Sequence, residues 1–227
     1  MIGQPLRNIY SLATSSHHRK ILYAYEVNYV IIWINGAFGS GKTQTSFELN
    51  RRLPNSFVFD PENAGFFIRK NIPKEVSKGD FQDYTMWREM NYSMLKYINS
   101  EYNGTIIVPM TLVHPQYFSE IVGKLRNEGV AVHHFTLCAS KDVLLKRLRT
   151  RGEGRNSWAA RQIDRCIDGL SNEVFRHHLD TDNLEVGDVV ETIASKLSIT
   201  LQPDHRGKMR KIKDRFTTQI KQIRFFD

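Results

Sequence analysis

A glycine-rich stretch directly follows the first apolar run of the chain, YVIIWI at residues 29–34. The eight residues after Asn35 match the pattern G-x-x-x-x-G-K-[S/T], in which glycines let backbone N–H groups turn towards a phosphate. They are Gly36, Ala37, Phe38, Gly39, Ser40, Gly41, Lys42 and Thr43. Lys42 would place a cation near the β- and γ-phosphates, and the Thr43 hydroxyl would coordinate Mg²⁺. An apolar strand before the loop and an amphipathic helix after it favour this interpretation over a chance match, so the sequence predicts binding of ATP or GTP with Mg²⁺.

The absence of two motifs indicates which nucleotide the protein binds and which type of reaction it favours. The sequence has no N-K-x-D element, which is typical of guanine-specific proteins, so ATP is the expected nucleotide. The apolar run TIIVPMT at 105–111 ends in proline and methionine, where many P-loop proteins carry an aspartate for Mg²⁺. Small-molecule kinases of this class often lack that aspartate, whereas motor ATPases keep it. The pattern therefore favours kinase-like chemistry.

Asp60 is the first candidate for an acid–base role. It follows the apolar stretch 56–59 in FVFDPE, and in a P-loop kinase the end of that strand lies beside the γ-phosphate. A carboxylate there can accept the proton of an attacking hydroxyl. The alternative is structural, because an aspartate before a proline often forms a turn or caps the next helix. We favour catalysis or substrate contact, with Glu62 as the second choice.

The segment LLKRLRTRGEGRNSW at 144–158 is rich in arginine. Arg147 and Arg151 are four residues apart and would share one face of a helix. A mobile flap that carries them would neutralise the transferring phosphoryl group and exclude water. The alternative is a solvated basic helix end, which the helix dipole would stabilise. We favour the flap.

Aromatic residues and methionines are concentrated between the second and third apolar runs. They are Phe81, Tyr84, Met86, Trp87, Met90, Tyr92 and Met94. This part of a P-loop kinase usually forms the acceptor site. Most of these residues would be ordinary core, but such a patch could also hold a flat or greasy substrate.

The net charge of +8 lies mainly at the chain ends. Residues 206–227 carry eight Lys or Arg and two Asp, whereas residues 29–205 are balanced. A basic tail on a neutral domain argues against a nucleic-acid groove across the core, so no nucleic-acid partner is expected. Two cysteines in 227 residues fit a reducing cytosol better than a disulfide framework.

Apolar runs alternate with helical patterns from residue 29 onward. Strands are expected at 29–34, 56–59, 105–110, 130–137 and 176–179, and helices at 42–52, 83–100, 115–128, 140–150, 157–172 and 187–197. Short strands separated by longer helices predict right-handed crossovers and a parallel sheet. We therefore expect an α/β P-loop domain at 29–205, with five parallel strands ordered 2-3-1-4-5 by analogy and helices on both faces. Residues 1–28 would form a disordered N-terminal extension.

Several stretches together resemble the tunicamycin resistance protein family. They are IIWINGAFGSGKTQT, FVFDPE, IIVPMTLVHPQYF, VHHFTLCASKDVLLKRLRTR, NSWAARQIDRC and HLDTDNL, and the similarity runs from about Val30 to the end of the chain. The resemblance implies an ATP site at Gly36–Thr43 and resistance to a nucleoside antibiotic that bears a fatty acyl chain. It also implies association with a membrane surface through the C-terminal segment. It leaves open whether the drug is phosphorylated or only bound.

The tail at 206–227, RGKMRKIKDRFTTQIKQIRFFD, is amphipathic. Its apolar residues recur at helical spacing between Lys and Arg, and they are Met209, Ile212, Phe216, Ile220 and Ile223. Such a helix can lie in a bilayer interface and be attracted to anionic lipids. The alternatives are a last helix packed on its own domain and a nucleic-acid contact. The resemblance favours the membrane.

These features lead to one leading hypothesis for the function and to rivals from other classes. The leading one is ATP-dependent tunicamycin resistance by phosphoryl transfer, in which the loop and Lys42 hold ATP·Mg²⁺, Asp60 accepts the hydroxyl proton, and Arg147 and Arg151 stabilise charge. A first rival sequesters the drug at the membrane surface without chemistry, and a second is a peripheral membrane ATPase switch. We expect a cytoplasmic protein, peripherally associated with the inner face of the cell membrane.

Overall fold

A parallel β-sheet forms the centre of the molecule. The computed structural model describes residues 30–222, and the expected extension at 1–28 lies outside them. The five strands are ordered β2-β3-β1-β4-β5 and every pairing is parallel. They are β1 (Ile31–Gly36), β2 (Ser56–Val58), β3 (Thr105–Pro109), β4 (Val132–Cys138) and β5 (His178–Asp180). The expected α/β class and strand order are confirmed.

Helices connect the strands and cover both faces of the sheet. They are α1 (Lys42–Arg52), α2 (Glu62–Asn71), α3 (Thr85–Glu101), α4 (Pro115–Phe118), α5 (Lys124–Asn127), α6 (Lys141–Arg149), α7 (Trp158–Leu170), α8 (Val186–Leu197) and α9 (Lys208–Gln222). A π-helical turn, Ser119–Gly123, joins α4 to α5, so together they fill the helix expected at 115–128. Helix α2 is not among the expected helices.

The apolar run of β1 places side chains in two separate hydrophobic cores. Successive side chains of a strand point to opposite faces. Ile31 and Trp33 join the larger core, which includes residues of α3 and α7, whereas Ile32 and Ile34 join the core beneath α1 and α8. Burial on both faces explains why this strand is continuously apolar, as in other parallel sheets. It also fixes the carboxyl end of β1, from which the glycine-rich loop starts.

Helix α9 packs against α1 through charged groups. Arg206, just before α9, donates hydrogen bonds to Glu48 of α1 and to Asp204 and Asp214. Burial alone would raise the pKa of Glu48, but hydrogen bonds from Arg51 and Arg206 bring it below its ordinary value. Hydrogen bonds from Arg206 likewise hold the pKa of Asp204 well below its usual range. The contact therefore consists of ionised partners.

The apolar side chains of α9 face away from this contact. Met209, Ile212 and Phe216 are 81%, 60% and 62% exposed, respectively. The helix therefore docks by its polar face and leaves an apolar stripe open to solvent. Between residues 30 and 222, no helix is both long enough and apolar enough to cross a bilayer.

Candidate functional site

The glycine-rich loop connects β1 to α1 in a tight curl that requires glycine. Gly39 and Gly41 have φ of 85° and 98°, values that other residues seldom adopt. A Cβ on Gly36 would lie 2.5 Å from the Ser40 Oγ and 2.7 Å from the Leu137 carbonyl oxygen. The backbone therefore encloses a small concave space at the positive N-terminal end of α1.

Lys42 lies over this curl with its ammonium group turned inwards. Its Nζ donates to the carbonyl oxygens of Gly36 and Ala37, both at 3.0 Å. Burial lowers the pKa of Lys42 to about 8; Cys166 and Glu62 favour the charged form, and Arg151 opposes it. The Ser40 Oγ is buried, and it has no hydrogen-bond partner among the described residues. A cation, backbone N–H groups and an unpartnered hydroxyl around one concave loop fit a polyphosphate.

Asn35 and Thr111 fix the base of the loop. The Asn35 carboxamide accepts hydrogen bonds from the Gly36 and Leu112 N–H groups and donates to the Leu112 carbonyl oxygen. The Thr111 hydroxyl donates to the Gly36 carbonyl oxygen at 2.8 Å. Thr111 follows β3 where many P-loop proteins carry a carboxylate, and its observed role is to hold the loop. Neither residue could be identified from the sequence, because hydrogen bonds between β1 and the segment after β3, which are neighbours in the sheet but far apart along the chain, leave no local pattern.

Arg147 and Arg151 line one cavity together with the loop. The cavity has a volume of about 290 Å³, and Gly39, Gly41 and Thr181 also line it. Arg147 donates to the hydroxyl and carbonyl oxygens of Thr181. Burial lowers the pKa of both arginines below the ordinary value, although both remain charged at neutral pH.

The prediction that Arg147 and Arg151 share a helical face is wrong in one respect. Helix α6 ends at Arg149, and the chain then turns through Gly152, whose φ is 81°. Arg151 therefore reaches the cavity from a turn and not from the helix. Glycine at this position allows the chain to leave the helix and lets the two cations meet at the loop.

The tail helix forms an unexpected wall of the same cavity. Gln44 and Glu185 line it beside Arg215 of α9. The Gln44 amide donates to the Arg215 carbonyl oxygen at 3.0 Å, and the Arg215 guanidinium lies 3.5 Å from the Glu185 carboxylate. The basic tail therefore adds a cation to the cavity that the phosphate loop and the arginines define.

Asp60 lies on the other side of the loop, at the carboxyl end of β2. Its Oδ1 accepts a hydrogen bond from the Glu62 N–H at 3.0 Å, so the structural role considered for it is observed. Glu62 begins α2 and acts electrostatically on Lys42. The segment 60–62 is therefore near the loop cation, while the arginines line the opposite cavity.

The aromatic and Met-rich segment divides between core and surface. Tyr84, Trp87 and Tyr92 are buried, in agreement with the core role expected for most of it. Met86, Met90 and Met94 are exposed on α3. The Trp87 indole N–H donates to the Pro61 carbonyl oxygen at 3.0 Å, which ties the start of α3 to the segment after β2.

These features define a P-loop nucleotide-binding protein with a kinase-like fold. The family model for the AAA domain matches residues 31–171. The solved structure of the tunicamycin resistance protein of Deinococcus radiodurans is 38% identical to this chain, covers 77% of it and 98% of its own length, and has a TM-score of 0.67. The chain belongs to the tunicamycin resistance protein family.

Two solved kinases share the fold at lower identity. A gluconokinase from Sinorhizobium meliloti is 17% identical, with 75% of this chain and 93% of that one covered and a TM-score of 0.54. A shikimate kinase from Bacteroides thetaiotaomicron is 18% identical, with 75% and 99% covered and a TM-score of 0.51. Comparison with curated protein sequences gives no match.

Proposed function

We propose that this protein binds ATP and confers resistance to tunicamycin by kinase-like phosphoryl transfer to the antibiotic. The observation that supports transfer best is the position of three cations. Lys42 lies inside the phosphate loop, and Arg147 and Arg151 line the cavity next to it. Fixed cations at a transferring phosphoryl group stabilise the charge that develops there, the main catalytic requirement of this chemistry.

Different groups of the site would bind the phosphates and the metal ion. The N–H groups of the loop and the Lys42 ammonium hold the phosphates, and the Thr43 hydroxyl holds Mg²⁺. On binding, Lys42 exchanges its hydrogen bonds to the Gly36 and Ala37 carbonyl oxygens for phosphate oxygens. ATP held there would supply the γ-phosphoryl group and leave as ADP, and Mg²⁺ would neutralise part of the phosphate charge.

The acceptor hydroxyl would approach from the side of β2. Asp60 lies there with one oxygen engaged in the turn to Glu62, and it accepts the hydroxyl proton through its carboxylate. Glu62 is the alternative base, since it is close enough to Lys42 to act on its charge.

Sequestration of the drug without chemistry is the second candidate function. The observation that favours it is the hydrogen bond that Asp60 accepts from the Glu62 N–H, because a structural role for this carboxylate would leave phosphoryl transfer without its leading candidate base. In that case ATP would tune the affinity for the drug, and no product would form.

We also place the protein in the cytoplasm, docked on the anionic inner face of the cell membrane by its tail. The exposed apolar stripe of α9 would enter the interface, while the flanking Lys and Arg are attracted to headgroups. This location would bring the protein to an acylated drug that partitions into the bilayer.

Mass spectrometry of tunicamycin incubated with the protein and Mg·ATP tests the choice between transfer and sequestration. Transfer predicts a product with one added phosphate, formed by the wild type and lost in Lys42→Ala. Unmodified drug that co-purifies with the wild type in the presence of ATP would establish sequestration instead.

A further inference from the structure

An apolar groove opens beside Asp60, outside the cavity that the arginines line. Its volume is about 370 Å³. Phe57 of β2, Phe67 of α2, and Met94 and Ile98 of α3 line it. Asp60 and Asn63 are the polar side chains at its lining. The groove is thus apolar along most of its length, with its polar groups where β2 passes into α2.

The lining is more exposed than ordinary core. Phe57, Phe67, Met90 and Met94 are between 39% and 58% exposed. Contiguous apolar surface of this kind marks a binding site more often than it occurs by chance. Methionine side chains are flexible and adapt to apolar ligands of different shape. Such a groove therefore suits a flexible hydrocarbon better than a rigid, polar molecule.

The direction of the groove follows from contacts at its two ends. At one end, the Trp87 indole N–H bonds to the Pro61 carbonyl oxygen, next to Asp60. At the other end, the Tyr102 ring just after α3 contacts the Phe57 ring, with 6.3 Å between centroids. From Met90 to Ile98, α3 covers about 12 Å of this path. The groove therefore leads from the carboxyl end of β2 towards its start.

The polar end lies on the side of the phosphate loop. Glu62, two residues after Asp60, favours the charged form of Lys42. A ligand in the groove would thus place its polar end near the loop cation and its apolar end near Phe57. That arrangement fits a molecule with a polar head and one linear hydrocarbon tail.

We propose that this groove binds the fatty acyl chain of the antibiotic, with the nucleoside and sugar part held at Asp60. The identity of the head rests on the proposed function, whereas the affinity for a linear hydrocarbon rests on the groove alone. Each methylene that enters the groove increases affinity by about twofold to fourfold.

Calorimetry with tunicamycin homologues of increasing chain length, and with the deacylated drug, tests this assignment in the full-length protein. In the wild type, affinity should increase with chain length until the groove is filled. Met94→Glu places a charge in the groove and should abolish this increase while leaving the affinity for ATP and for the deacylated drug unchanged. Met86→Glu is the matched control, because Met86 is exposed on the same helix but does not line the groove.

Several results would overturn the assignment. The first is that the affinity of the wild type for the homologues does not depend on chain length. The second is that Met94→Glu and Met86→Glu both keep the same dependence of affinity on chain length. A dimer that Met94→Glu dissociates, with acyl binding unchanged, would assign the groove to a second copy of the chain.

Failure of the proposed function gives a different result. If the protein does not bind tunicamycin at all, saturated primary alcohols of about ten to sixteen carbons serve as the probe, because a neutral head is not repelled by the Asp60 carboxylate. Binding of these alcohols that increases with length in the wild type and in Met86→Glu, but not in Met94→Glu, would support the groove independently. Absence of such binding in the wild type would refute it.

Discussion

The Trp158 ring packs edge-on against the Phe38 ring, with 5.0 Å between the centroids and 76° between the planes. Phe38 belongs to the phosphate loop, and its ring centroid lies 5.6 Å from the Lys42 Nζ. Trp158 is the last residue of the arginine-rich segment and the first residue of α7. The contact therefore links the end of that segment to the loop.

Trp158 should report on nucleotide binding. Trp33 and Trp87 are fully buried, whereas Trp158 is about half exposed and contacts the loop. We expect a saturable change in tryptophan emission when ATP·Mg²⁺ is added. Trp158→Phe should remove the change while keeping ATP affinity within about threefold, because the aromatic contact is retained. An unaltered response in Trp158→Phe would show that the signal comes from the buried tryptophans.

The low pKa of Lys42 predicts a pH dependence of ATP binding. Burial brings this pKa to about 8, and only the charged form pairs with phosphate. Because the free protein loses the proton as the pH passes 8, the Kd for ATP should rise only about twofold between pH 7 and 8 and then approach an increase of about tenfold per pH unit well above pH 8. Lys42→Arg, which stays charged, should give a flat profile in the same titration. Parallel profiles for both proteins would assign the dependence to another group.

Asp60→Asn separates catalysis from turn formation. The Asn side-chain oxygen can still accept the Glu62 N–H, so the turn should be preserved. If Asp60 is the base, phosphate transfer should decrease by about 10²–10⁴-fold with ATP and drug affinities unchanged. Glu62→Gln is the companion variant. Full transfer by Asp60→Asn together with loss in Glu62→Gln would move the base to Glu62.

The exposed stripe of α9 predicts binding to anionic vesicles. Ile212→Glu adds a negative charge to the stripe, so co-sedimentation with anionic vesicles should fall strongly. Thr217→Glu makes the same charge change on an exposed residue of α9 outside the stripe and should have a smaller effect. Binding of the wild type should also weaken as salt rises. Equal losses of vesicle binding in the two variants would show that the tail is held by nonspecific charge attraction alone and not by its apolar stripe.

Arg215 should contribute to nucleotide affinity from the tail. Its position in the wall of the cavity predicts that Arg215→Ala raises the Kd for ATP by about twofold to fivefold, as expected for a solvent-screened charge. Arg210→Ala removes a cation from the same helix that does not line the cavity, and it should leave the Kd unchanged. Calorimetry of the two variants makes the comparison.

The parts of the structure that depend on a local sequence pattern could be predicted from the sequence. The loop Gly36–Thr43 follows from glycine spacing, and the parallel sheet follows from short apolar runs between helices. The order of the strands followed only by analogy with other P-loop folds. Helix α2 was missed because Gly65 lowers the helix propensity of a short segment. In the structure, the Phe81 ring packs where a Cβ on Gly65 would lie, 2.5 Å from its nearest atom. Tertiary packing thus supports a helix that propensity does not predict.

The missed parts of the site depend on contacts between distant residues. Asn35 of β1 bonds to Leu112, which follows the neighbouring strand β3 but is far from Asn35 in the sequence. Arg215 reaches the cavity from the last helix of the described chain. Neither contact has a characteristic spacing in the sequence. The apolar groove was also only partly foreseen, because one of its walls is the unpredicted helix α2.

Helix α9 presents one face to the nucleotide cavity and another to solvent. Binding of a ligand at one of these surfaces can therefore change the affinity for a ligand at the other. Binding effects transmitted through a shared element are reciprocal. A bilayer that holds α9 in its present position would raise ATP affinity by the same factor by which ATP raises affinity for the bilayer. A bilayer that pulls Arg215 out of the cavity would instead lower ATP affinity, and ATP would then lower the affinity for the bilayer by the same factor. Measuring ATP affinity with and without vesicles would therefore show whether the membrane acts as an activator or an inhibitor of nucleotide loading.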